Sequence, residues 1–491
     1  MSVPEVRLVY PHQLFVEQLD LGAGAHVVLV QDDLFFRQYA FHAQKLVLHR
    51  ASMRRFAARL RDAGLEVHAV ETDADEPTGE RLTTLLRRLR PQRVTVYDVV
   101  DDWLARDCLA AVGAAGYDLS RDDVLETPGF VTTRPQIDAW FGEHPARMAR
   151  FYEWQRRRLD VLMDGDHPAG GRWSYDTENR KKLPRGHPVP APTWPDRSEE
   201  VTEAIAWVGK AFPGAPGRAD AFAWPTTHEE AQAAYRQFLD ERFAQFGPYE
   251  DAIAREHPFV FHAAMTPGLN IGLLDPLDVV HQALDAADDA NAPLASVEGF
   301  VRQVIGWREY MRATYRVFGR RMRTSNRLGH TRPLDEGWWT AQTGLDPVDH
   351  VLDGVLERGW SHHIERLMVL GNAMCLLRTD PTDVYEWFMA MYVDAYDWVM
   401  VPNVYAMSQF AAGEAITTKP YVSGSAYLRR MSDLPKGDWT DDWDALYWTF
   451  VRDHHDVLAG NNRSQMMARL WDGLAPGKKS AHVRRAYRWI G

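Results

Sequence analysis

Residues 298–312 read EGFVRQVIGWREYMR. If this segment is helical, five of its side chains share one face, namely Phe300, Gln303, Val304, Trp307 and Met311. Arg308 lies beside that face. Taken alone, the stretch is typical of a core helix that carries an Arg–Glu pair at its surface.

Helical patterns continue on both sides of this stretch. Thr226 to Glu229 resembles a capping box, and the pattern after it runs to Gly247. Further helical patterns cover 277–287, 297–318, 348–376, 381–399, 443–459 and 463–473. Alternation typical of β-strands is scarce here, so an all-α domain is predicted for 201–491.

The first part of the chain has a different pattern. Short apolar runs at 6–10, 26–30, 67–70 and 94–97 predict strands, and an amphipathic stretch from 34 to 62 predicts a helix that Gly64 ends. Alternating strands and helices imply an α/β domain, residues 1–140, with a mostly parallel sheet. No GxGxxG follows any of these strands, so the common dinucleotide fingerprint is absent.

A proline-rich segment separates the two parts. Six prolines fall within residues 164–197, which favours an extended connection. We therefore predict an interdomain linker over 141–200.

Composition narrows the function classes. The two cysteines, Cys108 and Cys375, are too few for a four-cysteine zinc or iron–sulfur site. No apolar run is long enough to span a membrane, and the N-terminus lacks the pattern of a signal peptide, so a cytoplasmic protein is expected. The net charge of −12 argues mildly against nucleic acid as a partner. One arginine run without acidic residues opposes that argument: Arg312, Arg316, Arg320, Arg321, Arg323, Arg327 and Arg332.

Several segments resemble the flavin domain of photolyases and cryptochromes. They are the WREY core of 298–312, Tyr249 with TPGLNIGLL at 266–274, and the long segments 360–374, 387–413 and 418–433. GGRWSYDTENR at 170–180 and PHQL at 11–14 resemble the same family in its bacterial branch, which includes (6-4) photolyases with an iron–sulfur cluster. The resemblance covers nearly the whole chain and implies the photolyase/cryptochrome fold.

The resemblance implies an FAD site in the helical domain. The residues at the matching positions are Tyr249, Asn270, Gly272, Gln303, Arg308, Arg366, Asp394 and Met400. Asn270 and Gly272 suit a backbone that approaches a diphosphate. An Arg366–Asp394 pair beside the flavin ring would stabilise a reduced, anionic flavin. Relatives often have an acidic or amide residue where Met400 stands, and Met cannot hydrogen-bond the flavin N5–H.

The resemblance also implies catalytic and electron-transfer residues. His363 lies one helical turn before Arg366, and histidine suits the transfer of a proton to a (6-4) lesion. His362 is expected to orient it. Trp387 and Trp339 match electron-transfer tryptophans, and Phe388 stands where some relatives have Tyr.

Relatives bind two further groups, an iron–sulfur cluster and an antenna chromophore. Pro347, Pro435, Asp438 and Asp441 stand where relatives have cluster cysteines, so we expect no iron–sulfur cluster and no metal. Packing around Trp439, Trp443 and Trp448 would then replace the contribution of the cluster to folding. A lumazine antenna, 6,7-dimethyl-8-ribityllumazine, is suggested near 11–14 and 32–36.

The predicted activity is light-driven repair of (6-4) photoproducts in UV-damaged DNA by a monomer. We expect Arg312, Arg316, Arg320, Arg321 and Tyr421 to contact the DNA, because an enzyme that acts on a base must grip the backbone and flip the base out. The alternatives are a cryptochrome-like blue-light photoreceptor, a cyclobutane pyrimidine dimer photolyase, and a nucleic-acid binder that keeps only the fold.

Overall fold

A computed structural model describes residues 3–22 and 24–491. Between Val3 and Leu125 the chain builds a parallel five-stranded sheet in the order β3-β2-β1-β4-β5. Its strands are β1 (Val3–Val9), β2 (His26–Val30), β3 (Glu66–Val70), β4 (Pro91–Tyr97) and β5 (Val124–Leu125). The four predicted strands are all present, and the two-residue β5 was not predicted.

The centre of the sheet is buried because its strands are nearly continuous apolar runs. Leu8 of β1 pairs with Val28 of β2 and with Val96 of β4, and all three are buried. The helices that follow the strands are α1 (Asp33–Phe36), α2 (Ala43–Asp62), α3 (Thr78–Leu89), α4 (Asp102–Ala114) and α5 (Arg134–Glu143). The predicted single helix over 34–62 is thus two helices, because the chain leaves α1 after Phe36 and His42 caps α2.

The predicted linker is less extended than its prolines indicated. Residues 141–200 contain α6 (Met148–Leu159) and a small hairpin of β6 (Met163–Asp164) and β7 (His167–Pro168), and α7 begins at Glu199. Helix α6 packs so closely on the helical domain that a Cβ at Gly306 would lie 3.0 Å from the Tyr152 ring.

The rest of the chain is helical. Its helices are α7 (Glu199–Ala211), α8 (His228–Glu241), α9 (Phe243–Tyr249), α10 (Thr266–Ile271), α11 (Pro276–Asp289), α12 (Leu294–Val301), α13 (Glu309–Arg323), α14 (Gly337–Thr340), α15 (Asp346–Arg358), α16 (Asn372–Leu376), α17 (Pro381–Met391), α18 (Asp397–Val401), α19 (Ser425–Met431), α20 (Asp438–Asp453), α21 (His455–Ala459), α22 (Gln465–Asp472) and α23 (Pro476–Ile490). The expected capping box is displaced by one residue, because Thr227 caps α8 through the backbone N–H of Glu230.

Three segments widen into π-helix: Arg302–Arg308, Glu365–Gly371 and Pro402–Ser408. A π-helical turn shifts the direction of the side chains that follow it and is frequent at functional sites. The first segment carries Gln303 and Arg308, and the second carries Arg366, so three predicted flavin residues lie on such turns.

Candidate functional site

The Arg366–Asp394 pair forms as predicted. Arg366 Nη1 and Nη2 donate to the two carboxylate oxygens of Asp394 at 2.9 and 3.0 Å, and its Nε donates to the Ser361 carbonyl at 2.7 Å. The Thr266 hydroxyl donates to the same carboxylate at 2.5 Å. The side chains are 16% and 4% exposed, so a bidentate pair lies largely out of water, where it is strongest.

Two further predicted residues extend this pair. Asn270 donates to the backbone carbonyl of Asp394 at 3.0 Å and accepts a longer hydrogen bond, 3.4 Å, from Arg308 Nε. Burial lowers the pKa of Arg308 to about 10, which still leaves it charged near neutral pH. Asn270, Arg308, Arg366 and Asp394 are therefore joined in one network.

The WREY motif lies at the contact between the domains. Arg308 Nη1 donates to the Gly129 carbonyl at 2.7 Å, and its guanidinium lies 4.2 Å from the centre of the Phe130 ring. Glu309 is fully buried and accepts hydrogen bonds from the backbone N–H groups of Val131 and Thr132. The pair is thus not at the surface, because both side chains bind the 129–132 loop of the α/β domain.

Three histidines lie beside Arg366. The rings of His262 and His362 stack at 4.8 Å, and three of their nitrogens, Nε2 of His262 and both of His362, are buried without a hydrogen-bond partner. Burial lowers the pKa of His262 to about 3 and that of His362 far below its usual value, so both are neutral at neutral pH. Nothing in the sequence around His262 distinguished it, because only the fold brings it to His362.

His363 differs from its neighbours because it is exposed. The surrounding protein and the Arg366 guanidinium lower its pKa below the usual value of histidine. His362 does not hydrogen-bond His363 in the way that we expected of an orienting residue, because both of its ring nitrogens lack a partner. The Glu365 carboxylate lies 3.6 Å from its Nε2. Burial raises the pKa of Glu365 to about 7.

Two further predicted flavin residues, Tyr249 and Gln303, contact other side chains of the helical domain. Tyr249 stacks on Phe261 with ring centres 5.5 Å apart. The Gln303 amide donates to Glu250 at 2.6 Å, and burial raises the pKa of Glu250 to about 7 against the lowering effect of Arg302. Gln303 therefore already uses one of its polar groups within the protein.

Gly272 serves a purpose different from the predicted one. Its φ is +90°, and a Cβ there would lie 2.5 Å from the Phe15 ring. The neighbouring Ile271 carbonyl accepts from the backbone N–H of Leu14 at 2.9 Å. Glycine is needed at this turn because the α/β domain packs against it.

Met400 is buried in α18, six residues after Asp394.

Trp387 is fully buried and contacts other rings on two sides. Its indole N–H donates to the Trp338 carbonyl at 3.2 Å, and its ring centre lies 6.0 Å from those of both Trp338 and Tyr392. Arg366 places its guanidinium 4.1 Å from the Tyr392 ring. The indole in contact with Trp387 is thus Trp338, while the predicted Trp339 is half-buried beside it in the chain.

Three members of the arginine run connect the two domains. Arg312, Arg316 and Arg320 recur every four residues on α13, so they form one stripe. They pair with three carboxylates of the α/β domain: Asp98 at 3.1 Å, Asp138 at 2.7 Å and Asp102 at 3.3 Å. Arg312 is buried and cannot reach DNA, so that prediction was wrong. Arg321 is exposed.

A second group of cations was not predicted from the sequence. Its exposed members, which we call the basic rim, are Arg180, Lys181, Lys182, Arg185, Arg429 and Arg430. Lys182 donates to the Arg429 carbonyl at 3.5 Å, and Arg430 lies 5.4 Å from the Tyr427 ring centre. Tyr421 is half-buried and close enough for the Arg180 charge to lower its pKa, although burial raises it overall. The signal was present as the run RKKLPR in the linker.

Protein contacts are present near the segments where the sequence suggested an antenna and where relatives have cluster cysteines. The ring of His12 lies 5.0 Å from that of Phe35 and 5.9 Å from that of Tyr396. Trp439 donates to the Pro435 carbonyl at 3.0 Å and packs edge-on against buried Trp443. Among residues 3–22 and 24–491, no group of three or more His, Cys, Asp or Glu side chains is placed to hold a metal.

None of the helices within the described residues is long and apolar enough to cross a membrane.

Comparisons with known proteins agree with this arrangement. A family model, Deoxyribodipyrimidine photo-lyase-related protein, matches residues 7–224. A (6-4) photolyase of Agrobacterium fabrum is 35% identical over 451 residues, which cover 88% of this chain and 87% of that protein. An uncharacterized protein of Acanthamoeba polyphaga mimivirus is 43% identical over 106 residues, 21% of this chain and 85% of its own.

Solved structures share the fold. A class III photolyase from Agrobacterium tumefaciens superposes with a TM-score of 0.58 at 17% identity, covering 100% of this chain and 98% of its own. A Synechocystis cryptochrome gives 0.59 at 12% identity, with coverage of 98% and 94%. The extent of the match to the Agrobacterium fabrum protein, together with this fold, makes the chain a member of the photolyase/cryptochrome family.

Proposed function

We propose that the protein is a light-driven DNA photolyase that uses reduced FAD to repair (6-4) photoproducts. The observation that carries the proposal is the exposed His363 beside two buried, unpartnered histidines and the Arg366–Asp394 pair. A cryptochrome-like photoreceptor would also need a flavin site, but it would not need a titratable group open to a second ligand.

The residues around Arg366 fit a bound flavin. Buried polar atoms without a partner are costly, and His262 and His362 together carry three such nitrogens. A ligand with hydrogen-bonding edges would supply the missing partners. FAD would be held by residues at the predicted positions, namely Arg366, Asp394, Asn270, Tyr249 and Gln303, and when bound it would supply the electron for repair.

Within that site, His363 would hold and return a proton. Its pKa is lowered in the free protein, so the imidazole is mostly neutral there at neutral pH. Phosphates of a bound lesion are anionic and would raise that pKa again. His363 would then be protonated when DNA is present, which is the state that general acid catalysis requires.

Reduction of the resting flavin would pass through buried aromatic rings. Trp387 and Trp338 are in contact, and Tyr392 lies between Trp387 and Arg366. We propose Trp387 as the inner residue and Trp338 with Trp339 as the outer ones. Phe388 stacks on Tyr392 at 5.4 Å, so the rings stay contiguous despite the absence of a tyrosine at 388.

UV-damaged DNA would lie on the basic rim, and the protein would act as a monomer. The rim supplies exposed cations for phosphates, apart from Arg180, which pairs with Asp176 and Asp251. Tyr421 would stack on a flipped base. Arg321 remains a candidate contact, whereas Arg316 and Arg320 are engaged with carboxylates of the other domain.

A lumazine antenna would require the rings of His12, Phe35 and Tyr396 to move apart. We propose that no iron–sulfur cluster is bound.

The test begins with the absorption spectrum of the purified protein, followed by illumination with defined (6-4) and cyclobutane lesions in DNA. We expect a flavin spectrum, no broad cluster absorption, and repair of the (6-4) lesion that His363→Ala abolishes. A colourless protein that stays colourless with added FAD would refute the flavin site. Repair of cyclobutane dimers alone would assign the other lesion, and flavin photoreduction with no repair would indicate a photoreceptor.

A further inference from the structure

One buried lysine of the α/β domain is not part of the site described so far. Lys45 of α2 is 1% exposed, and its ammonium donates to the backbone carbonyls of Met389 at 2.9 Å and Ala395 at 2.7 Å. It also lies 4.7 Å from the Phe41 ring centre and 5.4 Å from that of Tyr396. Within the described residues, no carboxylate lies at ion-pair distance from it.

The two carbonyls place Lys45 at the turn that carries Asp394. Met389 is near the end of α17, and Ala395 follows Asp394 directly in the turn before α18. The N-terminal half of α2 docks on the same region, because His49 hydrogen-bonds the Tyr396 hydroxyl at 2.9 Å and Gln44 donates to the Glu357 carbonyl at 2.7 Å. Lys45 therefore connects the α/β domain to the backbone on both sides of Asp394.

A buried ammonium without a carboxylate partner is costly. Carbonyl dipoles replace part of its hydration but do not neutralise its charge. Burial accordingly lowers the pKa of Lys45 to about 7, and the Asp394 charge opposes that shift. The other titratable groups that face Lys45 are His49 and Tyr396. Burial lowers the pKa of His49 well below its usual value and raises that of Tyr396, so both are uncharged.

The charged groups near the Arg366–Asp394 pair determine the net charge of the proposed flavin site. Arg366 and Asp394 form a pair that is neutral overall, and His262 and His362 are neutral. Arg308 carries a positive charge at the edge of this network. Lys45, in its protonated form, adds a second positive charge close to the pair. A region with excess positive charge binds an anion in preference to a neutral ligand of the same shape.

We propose that Lys45 is a positioning residue that holds the Asp394 turn and gives the flavin site its preference for the reduced, anionic flavin over the oxidised one. This inference rests on the proposed function, because it assumes that the Arg366–Asp394 pair binds flavin. It assigns to the α/β domain a direct part in the flavin's redox balance.

The experiment compares dissociation constants for oxidised and reduced FAD in wild type, Lys45→Met, Lys45→Gln and Arg54→Met. Methionine keeps the length of the chain without charge, and glutamine keeps a hydrogen-bond donor without charge. Arg54 is the matched control, because it lies on the same helix, is 44% exposed and pairs with Glu203. We expect Lys45→Met and Lys45→Gln to weaken binding of reduced FAD about tenfold more than binding of oxidised FAD. That ratio corresponds to a potential about 30 mV lower for a two-electron couple.

The same data separate the possible failures. If both Lys45 variants weaken the two redox states equally, Lys45 is only structural and the inference is overturned. If Arg54→Met shows the same selective loss, the effect does not depend on the Lys45 position, which also overturns the inference. If the wild type binds neither state, the proposed function itself fails. Should Lys45→Met not fold, Lys45→Gln gives the answer alone.

Discussion

Removing the charge of Asp394 is the most direct perturbation of the site. Asp394→Asn keeps the size of the side chain but leaves the Arg366 guanidinium, which is 16% exposed, without a counter-ion. Breaking a buried ion pair by removing one partner costs about 3–5 kcal/mol. Asn retains one oxygen that can accept from Arg366, so we expect the lower end of that range, about 3 kcal/mol.

The matched control is Glu178→Gln. Glu178 pairs with Arg172 at 2.9 Å, but the two side chains are 49% and 62% exposed. An exposed pair contributes under about 1 kcal/mol, because water and salt screen it. The two substitutions remove the same charge, so they differ mainly in burial.

Urea unfolding followed by tryptophan fluorescence compares the two variants, because the Trp360 indole lies beside the pair. Asp394→Asn should unfold at clearly lower urea than Glu178→Gln, and it should lose bound FAD. Equal midpoints would refute the argument that Arg366 and Asp394 form a buried, mutually dependent pair. Normal FAD content in a destabilised Asp394→Asn would separate stability from cofactor binding.

Three further predictions test other parts of the molecule. Repair by the wild type should fall as the pH rises above about 4, the value to which the protein lowers the pKa of His363, and bound DNA phosphates should move this fall to higher pH because they favour the imidazolium. His363→Ala should show little repair and no such pH dependence. Lys181→Ala should reduce the salt dependence of DNA binding by about one phosphate contact, measured by titration at several salt concentrations, whereas Arg316→Ala should leave it unchanged. Gly272→Ala should destabilise the protein in urea more than Gly64→Ala by about 1–3 kcal/mol, because both have positive φ but only Gly272 faces the Phe15 ring; equal losses would contradict the close packing at Gly272.

The spacing of apolar residues along the chain was sufficient to predict the fold class. Apolar runs of strand length and helical spacing are properties of neighbouring residues, so the amino-acid sequence alone locates the four main strands and most helices. The residues at which helices begin and end were harder to predict. The helix expected over 34–62 divides at His42, and α6 lies inside the predicted linker, because contacts with the other domain determine both.

The arginine run shows that the ion-pair partners of charged residues could not be predicted from the sequence. Its spacing on α13 could be read from the sequence, and so could its lack of acidic neighbours. Its partners could not, because Asp98, Asp102 and Asp138 lie more than 170 residues away in the chain. A stripe that suggested DNA binding is therefore mainly a contact between domains, and the basic rim in the linker is the better candidate.

By itself the sequence determined the two-part architecture, the family and the residues of the Arg366–Asp394 pair, because these depend on local pattern and on motifs along the chain. Only the tertiary structure decided which groups lie beside that pair. His262 reaches His362, and Lys45 reaches the Asp394 turn, across 100 and about 350 residues of chain. Burial, which lowers the pKa of each of these groups, likewise arises only when distant segments pack together and exclude water.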